Sequence, residues 1–339
     1  DLDFTGKVVL MRVGFDVPVD NKGAVLDDRR IRVSVPTIEA VLQKGAKQII
    51  LMWHVGRPKD KEPNLKTDLI AKKLSKIIGE EVMKVDDWGA EGIPQAKLVA
   101  LENLRFHPGE KSKNENERDS FGKDLADLAE IYVNDAFSVC HRDHASITSV
   151  PKFIPGCVGM NVEKEIETLE KAIKDPKRPL ISLFGGVKAD KIEALNNLRD
   201  NSDYVLVGGA LAFLLLKAKG IDVGSSRIDN EGLTNSPADL ERLSHDTKVI
   251  LPSDCVIADK FSEEADTKIV EVEFIDKGWM ALDIGPDTIE DFKDKIDTAG
   301  TVLWFGPIGV FEMEPFSKGT KEIANALADC NADTIIGGG

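Results

Sequence analysis

In the first half of the chain an arginine or a histidine follows each of four short apolar runs. After residues 7–13 come Gly14-Phe15-Asp16-Val17-Pro18 and then Asp28-Arg29-Arg30-Ile31. After 48–53 come His54-Val55-Gly56-Arg57-Pro58, and after 97–101 come Glu102-Asn103-Leu104-Arg105-Phe106. After 131–133 come Asn134-Asp135-Ala136-Phe137 and His141-Arg142-Asp143-His144. Arg30, His54, Arg57, Arg105 and Arg142 are therefore candidates to converge on one polyanion. A guanidinium suits that task because its planar fork pairs with phosphate or carboxylate through two parallel hydrogen bonds. Taken singly, a surface arginine is most often only solvated, and His144 reads as a local hydrogen-bonding residue. The repetition after successive runs carries the reading. The net charge of −15 sharpens it, because a basic cluster must then work against the chain's average field.

The second half has glycine where the first has arginine. Gly185-Gly186 follows 180–184, Gly208-Gly209 follows 204–207, Gly306 and Gly309 follow 301–304, and Gly337-Gly338-Gly339 follows 334–336. Glycine lets a phosphate approach backbone N–H groups at a helix start, where the peptide dipoles favour anions. One Gly-Gly pair is weak, since tight strand-to-helix turns use it anyway, but four suggest a nucleotide site. Lys188 and Lys191 could bring positive charge to a migrating phosphoryl group. Two familiar phosphate-transfer signatures are absent. His141-Arg142-Asp143 spells a protein-kinase triplet, but Thr148 stands where that motif needs asparagine, and no GxGxxGxV loop exists. No GxxxxGK[ST] loop occurs either.

These loops need elements to position them. The apolar runs are short and lack clean polar alternation, as in strands buried on both faces of a parallel sheet; a further run lies at 248–251. Leu69, Ile70, Leu74, Ile77 and Ile78 share a helical face with Gly79 as the stop, and Phe121, Leu125 and Leu128 repeat at helical spacing. Such alternation predicts α/β structure. The length of 339 residues predicts about two domains. Residues 161–175 read as one amphipathic helix ended by Pro176 and Pro179, with Glu167/Lys171 and Glu170/Lys174 as ion pairs. A helix between two α/β units is either a hinge or a plain surface helix. The expected architecture is two doubly wound, Rossmann-like parallel-sheet domains. The boundaries are 1–157, 158–176 for the joining helix, and 177–339.

Composition excludes several classes. No apolar run reaches the roughly 18 residues of a membrane helix, and an acidic chain is a poor generic partner for nucleic acid or an anionic membrane. Cys140, Cys157, Cys255 and Cys330 form no CxxC pair and are expected to be reduced thiols in a cytosolic protein. No signal peptide precedes the first run. The start at Asp1 and the end at Gly339 both suggest a cut chain.

The motifs resemble phosphoglycerate kinase along essentially the whole chain. They are Arg12-Val13-Gly14-Phe15-Asp16-Val17-Pro18, Asp28-Arg29-Arg30-Ile31, His54-Val55-Gly56-Arg57-Pro58, Glu102-Asn103-Leu104-Arg105-Phe106, and Tyr132-Val133-Asn134-Asp135-Ala136-Phe137 with His141-Arg142. The second half adds Gly278-Trp279-Met280-Ala281-Leu282-Asp283-Ile284-Gly285-Pro286 and Gly306-Pro307-Ile308-Gly309-Val310-Phe311-Glu312. The resemblance implies two domains joined by a hinge helix, in a monomer that transfers phosphoryl reversibly between 1,3-bisphosphoglycerate and Mg-ADP, giving 3-phosphoglycerate and Mg-ATP. Arg30 would stabilise the transferring group. Asp16, His54, Arg57, Arg105 and Arg142 would hold the phosphoglycerate. Lys188 and Lys191 would serve the nucleotide phosphates and the migrating group. Gly185, Gly186, Gly209, Gly285, Pro307, Gly309, Glu312, Gly337 and Gly338 would complete the nucleotide site. Mg2+ would arrive with ATP or ADP, with no resident metal. The nucleophile in the ATP-consuming direction is a carboxylate, ionised at pH 7, so no general base is expected.

Several positions depart from the family. Its Asp-x-Asn is Gly14-Phe15-Asp16 here, Trp53 replaces the serine before the histidine, and Phe305 replaces an asparagine. Ala210 replaces a third glycine, and the two lysines are three apart rather than four. The family also continues past Gly339 with an aspartate and a glycine-rich segment, so the chain is expected to be a fragment. Two other functions stay open on this reading. One is a catalytically impaired relative that only binds phosphoglycerate or nucleotide; the other is an unrelated α/β nucleotide-binding enzyme.

Overall fold

The structure, a computed structural model, describes residues 2–186, 191–228 and 237–337. The chain divides into two compact units, Asp1–Thr168 and Leu169–Gly339.

The first unit alternates strand and helix. In chain order its elements are β1 (Val8–Val13), α1 (Arg29–Arg32), α2 (Val35–Gln43), β2 (Gln48–Met52), α3 (Asp68–Ile78), β3 (Val82–Val85), α4 (Trp88–Glu91), β4 (Leu98–Leu101), α5 (Glu115–Ala126), β5 (Ile131–Asp135) and β6 (Gly156–Val158). Among the described residues the six strands form one sheet in the order β3-β4-β2-β1-β5-β6, and every pairing is parallel. Successive side chains of a strand point to opposite faces, and here each face has its own helix layer. Val9, Met11, Ile49 and Leu51 pack with Ile38 of α2 and with Ile70 and Leu74 of α3. Leu10, Ile50 and Met52 pack with Phe121 and Leu125 of α5. This is why the runs show no polar alternation. Gly79 ends α3 in the left-handed region at φ 75°, as its place after Ile78 predicts. Leu128 falls just beyond α5, which stops at Ala126.

A single helix, α6 (Met160–Lys174), contains the division between the two units. Its Glu170–Lys174 ion pair forms at 3.0 Å. Val162 is buried near its start and Ala172 near its end, whereas Ile166 at the middle is exposed.

The second unit contains β7 (Leu180–Phe184), α7 (Lys191–Arg199), β8 (Tyr204–Val207), α8 (Gly209–Ala218), α9 (Pro237–Ser244), β9 (Val249–Ile250), β10 (Asp254–Ala258) and β11 (Thr267–Glu271). It continues with β12 (Met280–Ile284), α10 (Pro286–Asp297), β13 (Thr301–Phe305), α11 (Lys318–Asp329) and β14 (Asp333–Gly337). A parallel sheet runs β14-β13-β7-β8-β9. One face packs on α10 and α11 through Phe292, Ile296, Ile323 and Leu327; the other packs on α7, α8 and α9 through Leu195, Leu215 and Leu243. A separate antiparallel sheet, β11-β10-β12, is an addition to the expected doubly wound pattern. Among the described residues no helix is long and apolar enough to cross a membrane.

Candidate active site

All strands of the first sheet run the same way, so the residues after β1, β2, β4 and β5 emerge along one edge. Hydrogen bonds tie these loops together around Asp16 and Gly56. Asp16 Oδ1 accepts the N–H of Gly56 at 2.8 Å, and Oδ2 lies 3.3 Å from His54 Nε2. Arg30 Nη1 donates to the carbonyl of Asp16 at 2.7 Å. Arg105 Nη1 donates to the carbonyl of Gly56 at 2.5 Å. Arg105 also lies within electrostatic reach of Arg142. The sheet thus brings Arg30, His54, Arg105 and Arg142 to one place, and Arg57 follows Gly56 on the same loop. Arg30, Arg57 and Arg142 are exposed, whereas His54 and Arg105 are buried at their bases. Arg105 Nε is buried without a hydrogen-bond partner.

The charges are set by this geometry. Burial alone would push the Asp16 carboxyl up. The bond from His54, the Gly56 N–H and the charge of Arg105 outweigh it and hold the group at about 2. Burial drives His54 down to about 4, with Arg12 and Arg105 adding to the effect and Asp16 opposing it. At neutral pH His54 is an uncharged ring beside an ionised carboxylate. Burial also lowers Arg105, and Arg142 and Arg12 add to it, though an arginine keeps its proton at neutral pH.

Two departures from the family find their places. Trp53 is fully buried, with its ring 5.3 Å from Phe15, so it serves the core and not the strand-end edge. At Gly14 an added Cβ would meet nothing closer than 3.8 Å, so packing does not demand glycine there.

Behind the edge lies a buried polar layer that motif reading passed over. Arg12, Glu110 and Ser146 are all 0 % exposed, and His144 is buried beside them. The signal was present as an arginine inside an apolar run, since a charge buried in a sheet must have partners. A further carboxylate group, Asp68, Asp86 and Glu102, is bridged by Lys84 and neutralised by lysine.

In the second unit, glycines let three strand-end loops interlock. A Cβ on Gly185 would sit 2.1 Å from the carbonyl oxygen of Pro307, and one on Gly208 would sit 2.7 Å from Ile308. Gly209 has φ +61°, and a Cβ there would sit 2.6 Å from the Gly186 nitrogen. The helix it opens, α8, has no capping side chain, and its Leu211 N–H donates to the Gly186 carbonyl at 3.4 Å. Two other helix starts, those of α10 and α11, are occupied. Asp254 accepts from the N–H groups of Asp287 and Thr288 at the start of α10, directly after Gly285. Asp283 accepts from Gly319 at the start of α11. The N–H groups of Ile308 and Gly309 donate to Thr320 Oγ1. Burial pushes Asp283 up to about 7 despite its two N–H donors, Gly319 and Ile284. Pro307 is half-buried in its loop, and Glu312 is exposed on the same stretch. Phe305 stacks on Phe184 at 5.3 Å. Gly337 ends β14, and a Cβ there would lie 3.3 Å from Phe305. Lys188 and Gly338 lie outside the described residues; Lys191 opens α7.

A model of the phosphoglycerate kinase family matches residues 1–339. The chain belongs to the phosphoglycerate kinase family. It is 44% identical to the phosphoglycerate kinase of Aquifex aeolicus over 350 positions, covering all of this chain and 87% of that protein. It is 42% identical to the chloroplastic phosphoglycerate kinase 2 of Arabidopsis thaliana, covering 72% of that protein. The fold agrees with solved structures of phosphoglycerate kinase. For Coxiella burnetii the TM-score is 0.79 at 33% identity, and for Pyrococcus horikoshii it is 0.80 at 28%; each match covers all of this chain and 87% of the other. As a member of the phosphoglycerate kinase family, the chain is a phosphotransferase.

Proposed function

We propose that the first-unit edge binds 3-phosphoglycerate or 1,3-bisphosphoglycerate and that the second unit binds ATP or ADP with Mg2+ as part of the nucleotide substrate. The observation that carries this is the linkage of Arg30, His54 and Arg105 through Asp16 and Gly56 at the carboxyl edge of one parallel sheet. His54, Arg57, Arg105 and Arg142 hold the phosphoglycerate, with Asp16 fixing the loops that carry them. Gly185, Gly186, Gly209, Gly285, Pro307, Gly309, Glu312, Gly337 and Gly338 shape the nucleotide site. Lys188 and Lys191 assist the migrating group.

The chemistry then needs no proton shuttle. A carboxylate oxygen of 3-phosphoglycerate gives its electron pair to the γ-phosphorus. The bond from that phosphorus to the β–γ bridging oxygen breaks, and its electrons leave with ADP. Arg30 neutralises charge on the phosphoryl group in flight. Ligands carried by separate units must meet, and α6 is the proposed hinge between domains 1–157 and 177–339. On this reading the protein acts as a cytosolic monomer. Nothing observed favours the alternative of a relative that only binds.

The test is ADP formation that requires both ATP and 3-phosphoglycerate. Arg30→Met is expected to lower kcat by about 100-fold or more. Wild-type protein that turns over without 3-phosphoglycerate, or an unchanged Arg30→Met kcat, would refute the assignment.

A further inference from the structure

Both ring nitrogens of His54 have a polar neighbour. Nδ1 lies 2.8 Å from Arg12 Nη2, and Nε2 lies 3.3 Å from Asp16 Oδ2. A guanidinium has five N–H donors and nothing to accept with. Nδ1 must therefore accept and cannot carry a proton. The single proton of the neutral ring sits on Nε2, facing Asp16.

Arg12 is itself held from behind. It is fully buried on β1, and its Nη1 donates to the carbonyl of Val13 at 2.5 Å. Its Nε donates to Ser146 Oγ at 3.1 Å. That hydroxyl donates to Glu110 Oε1 at 2.7 Å, and the Ser146 N–H donates to Glu110 Oε2 at 3.0 Å. A serine hydroxyl has one proton. With that proton directed to Glu110, its lone pair is the only thing Arg12 can meet. Donation thus runs outward from Arg12 in two directions, through Ser146 to Glu110 and through His54 to Asp16. Each link fixes the polarity of the next. The remaining neighbours agree. The charge of Arg105 discourages a second proton on His54. His144 meets the His54 ring edge-on at 6.5 Å, with its own Nδ1 3.5 Å from Glu110.

We propose that Arg12 is a positioning residue for the phosphoglycerate site, holding His54 as the Nε2–H tautomer so that the ring's one N–H meets the Asp16 carboxylate and ties together the loops after β1 and β2. The inference rests on the ligand reading given above. Arg12 is too deeply buried to touch a ligand and acts only through His54. A proton on Nδ1 would instead turn a lone pair toward the Asp16 carboxylate. The ring therefore holds Asp16 by donation and not by charge.

The test is 15N NMR of ligand-free wild-type protein at pH 7. His54 should show a pyridine-like Nδ1 and a pyrrole-like Nε2. Arg12→Lys keeps a donor and should keep that pattern. Arg12→Met should mix the tautomers and raise KM for 3-phosphoglycerate about tenfold, with KM for ATP unchanged. A wild-type His54 protonated at Nδ1, or at both nitrogens, overturns the proposal whether or not the variants fold. So does an Arg12→Met protein with unchanged tautomer or unchanged KM. The expected tautomer, together with His54 signals that ignore added 3-phosphoglycerate, supports the Arg12–His54 link and refutes the ligand reading alone.

Discussion

Asp16 and His54 face each other from the ends of two paired parallel strands, with Oδ2 of one 3.3 Å from Nε2 of the other. The contact joins an ionised carboxylate to an uncharged ring, and both groups resist protonation in the folded state.

That resistance gives stability a pH dependence. The unfolded His54 imidazole takes a proton near 6.5 and the folded one only near 4. Between those values the unfolded chain binds more protons, so stability falls as pH drops through the window. Asp16 adds a second loss below the ordinary carboxyl value of 3.8, as pH falls toward about 2. Urea unfolding of wild type should lose up to about 3 kcal/mol to His54 between pH 7 and 4. His54→Gln should flatten that part of the curve. An equal slope in both proteins would contradict the assignment.

Arg105 should be replaceable by neither methionine nor lysine. One Nη donates to the carbonyl of Gly56 and Nε is buried, a placement that needs the planar fork and that a lysine ammonium cannot reproduce. Steady-state kinetics should show KM for 3-phosphoglycerate rising about tenfold or more in both variants, with KM for ATP little changed. Full recovery by lysine would reduce the role to simple charge.

Gly185 should tolerate alanine far less than Gly79 does. An added Cβ meets the Pro307 carbonyl at 2.1 Å in the first case and nothing within 4 Å in the second. Gly79→Ala should cost about 1 kcal/mol, from its left-handed backbone alone. Gly185→Ala should cost about 1–3 kcal/mol and raise KM for ATP, because the loops after β7 and β13 must separate. Thermal unfolding and kinetics of the pair check this.

Trp53 should matter to stability and not to the ligand. It is fully buried, and its Nε1 makes no hydrogen bond. Trp53→Ser, which restores the family's residue, should cost about 3–5 kcal/mol by opening a cavity. Trp53→Phe should cost less, since no hydrogen bond is lost, and should leave KM for 3-phosphoglycerate unchanged. Chemical denaturation with parallel kinetics would show it.

Much of this was legible in the sequence because a doubly covered parallel sheet imposes a blunt pattern. All nine of the expected apolar runs became strands of the two parallel sheets. β3 and β6 were missed. β3 has two of its four residues at least partly open to solvent, and β6 is exposed throughout, so neither reads as an apolar run. The antiparallel sheet was missed for a related reason, since β11 is largely exposed and β12 lies inside a motif read for its glycines. At the site, the strand-end arginines were visible as types in register. The layer beneath was not, because Arg12 on β1, Glu110 after β4 and Ser146 after β5 lie far apart in sequence and meet only in the fold. Several glycines were read as phosphate cradles, and packing supplies a second reason for them at Gly185 and Gly285.

The most direct test of the central claim is isothermal titration of 3-phosphoglycerate and, separately, of ATP into wild-type protein and into Arg105→Met/Arg142→Met. The account predicts that the double variant loses 3-phosphoglycerate binding by about 100-fold while ATP binding stays as in wild type. Equal 3-phosphoglycerate affinity in the two proteins would contradict it.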